Sequence, residues 1–149
     1  MSWKSLLANK EAHRHATSKN ELDAMRELIA RDLADAALAG LSADRRFATA
    51  YNAALQAANM AVACAGYRIT ARVGHHRITL EGAGLAIGRA ADKLLDYFES
   101  CRRKRNKIDY MQSHVATETE AQEIVAKTKE FLELVEGWIA KSHATLKKQ

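Results

Sequence analysis

The sequence predicts an all-α protein, an antiparallel bundle of four to five helices. Three observations carry that reading. The 149 residues include no proline and only seven glycines, so the strongest punctuators of turns are scarce. Alanine recurs at three- and four-residue spacing, the period of a helix face. Ser18 with Glu21, and Thr117 with Glu120, have the spacing of helix-opening capping boxes. The length suits one domain with its own core, without disulfide or metal. It reads as a single unit over residues 1–149, with a short N-terminal extension and a frayed C-terminal tail.

In chain order, about Trp3 to His15 reads as a weakly amphipathic helix, with Trp3 placed to fold back onto the bundle. Behind Ser18, the residues Leu22, Met25, Ile29 and Leu33 make an apolar stripe, and Gly40 suits the position just past that helix. Ser42 caps the next helix, and Asp44 suits the positive end of its dipole. Its inward line is Phe47, Ala50, Ala54, Ala58, Ala61 and Ala65, small residues that let two backbones approach closely. Arg68 to Arg72 has a strand-like pattern without an evident pairing partner and is taken as a connection, followed by at most a short helix between His75 and Glu81. A long helix is expected from near Leu85, its stripe running Ile87, Ala91, Leu94, Phe98 and Cys101. The last helix opens at Thr117 and carries Ile124, Thr128, Phe131, Val135 and Trp138.

The net charge is +5 with histidines neutral, which favours polyanionic partners without requiring one. Cys64 and Cys101 sit inside apolar helical patterns and read as reduced, buried thiols. Residues 1–11 carry Lys4 and Lys10 around a short apolar patch, neither a signal peptide nor a membrane span. A cytoplasmic protein is expected.

The informative run is Arg102, Arg103, Lys104, Arg105, Asn106, Lys107, Ile108, Asp109 and Tyr110. On a helix, positions 102, 105 and 109 share one face, continuing the stripe of Leu94, Phe98 and Cys101. Charges that continue a core stripe need partners, because burial unpaired costs several kcal/mol; Asp109 is the natural structural partner of Arg105. Arg103, Lys104 and Lys107 face water or a ligand. Two readings stand: a cation-rich helix end stabilised by the dipole, or a surface that recognises phosphate through arginine's planar fork.

Arg105 to Tyr110, between a long helix and a final amphipathic one, resembles the HEPN domains. So do Asp32 to Ala36, Gly40 to Ser42, Arg46 to Ala54 and Gly74 to His76, which look like one uncharacterised prokaryotic branch. The resemblance spans roughly residues 20–139. It implies a four- to five-helix bundle that dimerises with the Arg-Asn motif at the interface. It further implies RNA or nucleotide handling, as a metal-independent endoribonuclease in toxin–antitoxin or defence systems, with an antitoxin or a nucleotidyltransferase-like protein as partner. No cofactor, metal or membrane is implied. By that pattern Arg105, Asn106 and Tyr110 are the candidate catalytic residues, and Arg102, Arg103, Lys104, Arg105 and Lys107 the candidate nucleic-acid contacts. The family pattern ends in histidine; four residues intervene after Arg105 and the position holds Tyr110. His114 lies eight intervening residues on, outside the usual window. Tyrosine is a poor base at neutral pH but a competent hydrogen-bond donor. The alternative function is a non-catalytic helical module that holds a protein partner on its apolar faces.

Outside the run, His75 and His76 have two readings: loop packing, or a histidine delivered to the Arg105 groove in place of the missing one. His13 and His15 are expected to be exposed. Arg45 and Arg46 read as partners of Asp35 or Asp44, or as lining for the groove. Asn52, beside Tyr51 in an alanine-rich stretch, is expected to make a structural hydrogen bond across the bundle. Phosphate-loop, Ser-His-Asp and di-iron patterns are lacking in the sequence.

Overall fold

Alanine sets the centre of the molecule. The computed structural model describes residues 1–72, 74–109 and 113–149, with Asp109 described by its backbone alone. Among these, the elements run α1 (Trp3–Ala8), β1 (Ala12–Arg14), α2 (Lys19–Ala36), α3 (Ala43–Cys64), β2 (Tyr67–Ile69), α4 (His75–Ile87), α5 (Asp92–Asp109) and α6 (Glu118–Ser142). Helix α3 is the hub, packed on α6, α2, α4 and α5. Its Ala50, Ala53, Ala54, Ala57, Ala58 and Ala61 are all fully buried, so neighbours close in on a nearly bare backbone cylinder. The larger groups fill the rim: Phe98 of α5 and Phe131 of α6 meet with ring centroids 5.4 Å apart. Burying each such ring stabilises by about 1.5–3 kcal/mol. The buried Thr128 hydroxyl donates to the Ala50 carbonyl at 3.2 Å, tying α6 to α3. Among the described residues, no helix is long and apolar enough to cross a membrane.

The bundle is the all-α fold that the helical periodicity predicts. Local differences have physical causes. The first segment is helical only to Ala8; residues 12–14 form β1, pairing antiparallel with β2 in the register Ala12–Ile69, His13–Arg68, Arg14–Tyr67. The stretch taken as a connection is therefore partly a strand, and its partner lies more than fifty residues upstream, beyond any local pattern. Trp3 does fold back, stacking on Tyr67 at 4.1 Å. Helix α4 extends over His75–Ile87, longer than expected, and ends where Gly88 takes φ +92°. A single 3₁₀ turn, Arg89–Ala91, then leads into α5, so Ile87 and Ala91 are not part of the α5 stripe. Gly82 permits α4 to lie close on α3: a Cβ there would stand 3.0 Å from the Val62 Cγ2.

Both capping signals sit at helix starts. Thr117 and Glu120 form a full reciprocal box. Ser18 accepts the Glu21 amide at 3.2 Å, but the Glu21 carboxylate turns to Thr17 and His15, each at 2.7 Å, leaving half a box. That contact also half-buries His15, expected exposed. Helix α2 stops at Ala36, short of Gly40, which instead turns the following connection at φ +82°. Asp44 serves two backbone amides, Val115 at 3.0 Å and Ala116 at 2.7 Å, and so anchors the chain entering α6. Arg46 pairs with Glu118 and not with Asp35 or Asp44, while its Nε donates to the Ala36 carbonyl at 2.9 Å, one of the acceptors that a helix end leaves unfilled.

Candidate anion site at the end of α5

Helix α5 is divided electrically. Its first half presents Asp92, Asp96 and Glu99, which with Arg77 and Glu81 of α4 line a cleft of about 360 Å³. Its second half is the run from Arg102 to Lys107. Acid at the start and base at the end complement the helix dipole.

Each cation of the run has a different setting. Arg102 Nε donates to Glu99 at 3.0 and 3.2 Å, and this carboxylate raises the guanidinium pKa above its ordinary value. Lys104, expected to face water, reaches across to Glu120 of α6 and, by that hydrogen bond, lowers the Glu120 pKa. Arg103 and Lys107 are exposed, and Asn106 is half-buried. Arg105 is half-buried and turns inward: its Nη2 donates to the Asn52 Oδ1 at 3.2 Å, and its Cζ stands 5.9 Å from the Tyr51 ring centroid. The hydrogen bond expected of Asn52 across the bundle is therefore made, and its donor is Arg105. Two expectations, the Arg105–Asp109 pair and the Tyr110 hydroxyl, fall on the Asp109 side chain and on Tyr110, outside the described residues.

Tyr51 forms the floor. It is fully buried, and its hydroxyl has no hydrogen-bond partner among the described residues. Burial pushes its pKa well above the usual phenol range, against the opposing pull of Arg105, so the hydroxyl stays a neutral donor. On the same ring lies His76 of α4, half-buried, with ring centroids 6.1 Å apart and planes at 45°. His75 turns away: its Nδ1 donates to the Arg72 carbonyl at 2.6 Å and its ring meets His76 edge-on at 4.5 Å. The two adjacent histidines thus face different neighbours. His75 holds the Arg72 carbonyl just before α4, and His76 packs against the Tyr51 ring, which Arg105 also approaches.

Three helices therefore bring Tyr51, Asn52, His76, Arg102 and Arg105 together. The sequence marks the α5 residues by charge density; nothing in local spacing marks Tyr51, whose role follows from packing. Among the described residues, no three His, Cys, Asp or Glu side chains cluster as a metal site needs.

A HEPN family model matches residues 36–136, more than half of the chain. This chain belongs to the HEPN family. Comparison with curated proteins and with solved structures yields no match. The matched segment of this HEPN domain runs from the last residue of α2 into α6 and holds every residue of the site. Helix α1, β1 and most of α2 lie before the match; β1 pairs with β2 inside it, and Trp3 of α1 stacks on Tyr67. For a HEPN-type domain, nucleotide or RNA chemistry is the broad functional expectation.

Proposed function

We propose that this HEPN domain handles RNA or nucleotides, binding phosphate at the C-terminal half of α5 and acting in a toxin–antitoxin or defence setting. The observation that carries the reading is the placement of Arg105. Its guanidinium is half-buried, oriented by Asn52 and laid over Tyr51. A pre-oriented guanidinium loses less rotamer freedom on binding, and partial desolvation strengthens its charge-assisted hydrogen bonds. Exposed Arg103 and Lys107 flank it and supply the longer-range attraction. The working form in this proposal is a homodimer, whose two-fold axis joins two α5 ends into one composite groove.

The test is fluorescence anisotropy with a labelled single-stranded oligoribonucleotide and with mononucleotides at low salt. Binding is expected to fall steeply as salt rises, because phosphate neutralisation releases counterions. Arg105→Ala should weaken binding while circular dichroism stays that of the wild type. Absence of binding by the wild type at low salt would overturn the reading in favour of a protein-interaction module. Sedimentation equilibrium at micromolar concentration checks the dimer, which a purely monomeric result would exclude.

A further inference from the structure

We propose that the cavity walled by α3, β2, the start of α4 and the chain leading into α2 binds a nucleobase, adenine in preference to uracil. The site stands apart from the Arg105 surface, and its ligand needs no phosphate.

The argument starts from Asn59. Helix α3 carries it among Ala57, Ala58, Met60 and Ala61, all buried, where alanine would form the better helix. Two turns earlier on the same face, Asn52 has a use, since it holds Arg105. Asn59 is half-buried, and among the described residues its amide makes no hydrogen bond. It lines a cavity of about 250 Å³. That volume lies just under the roughly 300–1,000 Å³ of sites for drug-sized ligands, so it suits one ring system and not a whole nucleotide.

The rest of the lining decides the chemistry of the ligand. Met25, Val62 and Ile69 give the cavity apolar walls. Its ions are paired with one another: the Glu21 carboxylate takes His15 Nε2 at 2.7 Å and Arg68 Nη2 at 3.4 Å. A cavity whose charges are already matched favours a neutral guest. His75 supplies the second polar group on the lining. Its Nδ1 donates to the Arg72 carbonyl at 2.6 Å, so in the neutral ring Nε2 is an acceptor. Asn59 offers one more acceptor and a donor. Adenine answers that set. A ring nitrogen accepts from the Asn59 amide, and the adjacent exocyclic amine donates to Asn59 Oδ1 and to His75 Nε2. Uracil presents a carbonyl in place of the amine and would set it against two lone pairs. His15, Glu21 and Met25 precede the family match, which begins at residue 36, so the cavity is completed by the N-terminal segment of this chain.

The experiment titrates the whole chain with adenosine, inosine and uridine by isothermal calorimetry, to about 5 mM because a ligand this small binds weakly. Adenosine should bind. Inosine, in which a carbonyl replaces the amine, and uridine should bind about tenfold more weakly or worse. Adenosine binding should scarcely change with salt, since no phosphate is neutralised. Asn59→Leu should weaken adenosine by about tenfold or more while keeping the circular dichroism of the wild type. The same variant should bind an oligouridylate within about twofold of wild type, because that contact belongs to the Arg105 surface. The comparison of nucleosides needs no variant, so a folding defect in Asn59→Leu cannot hide the answer. Three results would overturn the proposal: a wild type that does not bind adenosine, inosine or uridine binding as tightly as adenosine, or Asn59→Leu binding adenosine as the wild type does. Each leaves the Arg105 reading standing, which falls only if oligouridylate binding is itself absent at low salt.

Discussion

Two sets of cations in this molecule have opposite characters. Arg26 and Arg46 are scattered in the sequence, and each is consumed by the fold. Arg26 Nε and Nη2 hold Glu136 at 2.8 and 2.9 Å, while Nη1 holds Asp23 at 2.7 Å and Nη2 also holds the Leu146 carbonyl at 2.9 Å. With side-chain exposures of 12% and 7%, Arg26 and Glu136 lock α2 to α6 and fold the end of the chain back onto both. Arg46 likewise closes the end of α2 and reaches Glu118. Arg103 and Lys107, by contrast, sit in the densest charge run of the chain and are exposed. The run leaves Arg103 and Lys107 exposed on the surface, whereas a lone arginine satisfied by distant carboxylates marks a structural joint.

The comparison is sharpest where stability separates from binding. Glu136→Ala should show the largest effect, on the order of 3–5 kcal/mol in urea denaturation, because it leaves the Arg26 guanidinium buried without its main partner. A loss under 1 kcal/mol would erase the distinction between the two sets. Arg46→Ala should cost about 1–2 kcal/mol, since its carbonyl contacts are part-buried but Glu118 is largely exposed. Arg103→Ala and Lys107→Ala should each change stability by less than about 0.5 kcal/mol, yet each should lower the salt slope of RNA binding by about 1. If either destabilised the fold as Arg46→Ala does, the exposed run would have to be counted as structure.

The smallest effect is on pH. The Lys104 hydrogen bond, with the Thr117 amide, lowers the Glu120 pKa from its ordinary 4.5. The stability this contributes is present above 4.5 and is lost as pH falls through the lower folded value. Because the Glu120 carboxylate is still open to solvent screening, its side chain being 38% exposed, the effect is slight. Melting temperature followed from pH 6 to pH 3 should decline a little less steeply in Lys104→Ala than in the wild type. Equal slopes would mean that the Lys104–Glu120 bridge carries no proton linkage.

Helix α5 and helix α4 show how legibility fails. The end of α5 is readable because charge density and the three- and four-residue spacing are local properties of the chain, and both Arg102 and Arg105 turn inward as that spacing requires. The extent of α4 is not, since three glycines in its neighbourhood (Gly82, Gly84 and Gly88) weaken every helical signal. What holds α4 is tertiary: Gly82 fits against Val62, and Ile78, Leu80 and Ala83 are buried. The strand at Tyr67–Ile69 was hidden for the same reason, its ladder being completed by residues 12–14.

The sequence by itself determined the helical class, the starts of α3 and α6 at their serine and threonine caps, the alanine seam, and the basic end of α5. Those are consequences of backbone period, side-chain size and hydrogen bonds that span at most one turn. Only the tertiary structure decided which carboxylate each arginine meets, that His75 holds the Arg72 carbonyl while His76 turns to Tyr51, and that Asn52 orients Arg105. The physical reason is range. A hydrogen bond of about 3 Å between α3 and α5 joins residues 53 positions apart, and no local pattern in either helix encodes the rotation and depth at which the two finally pack.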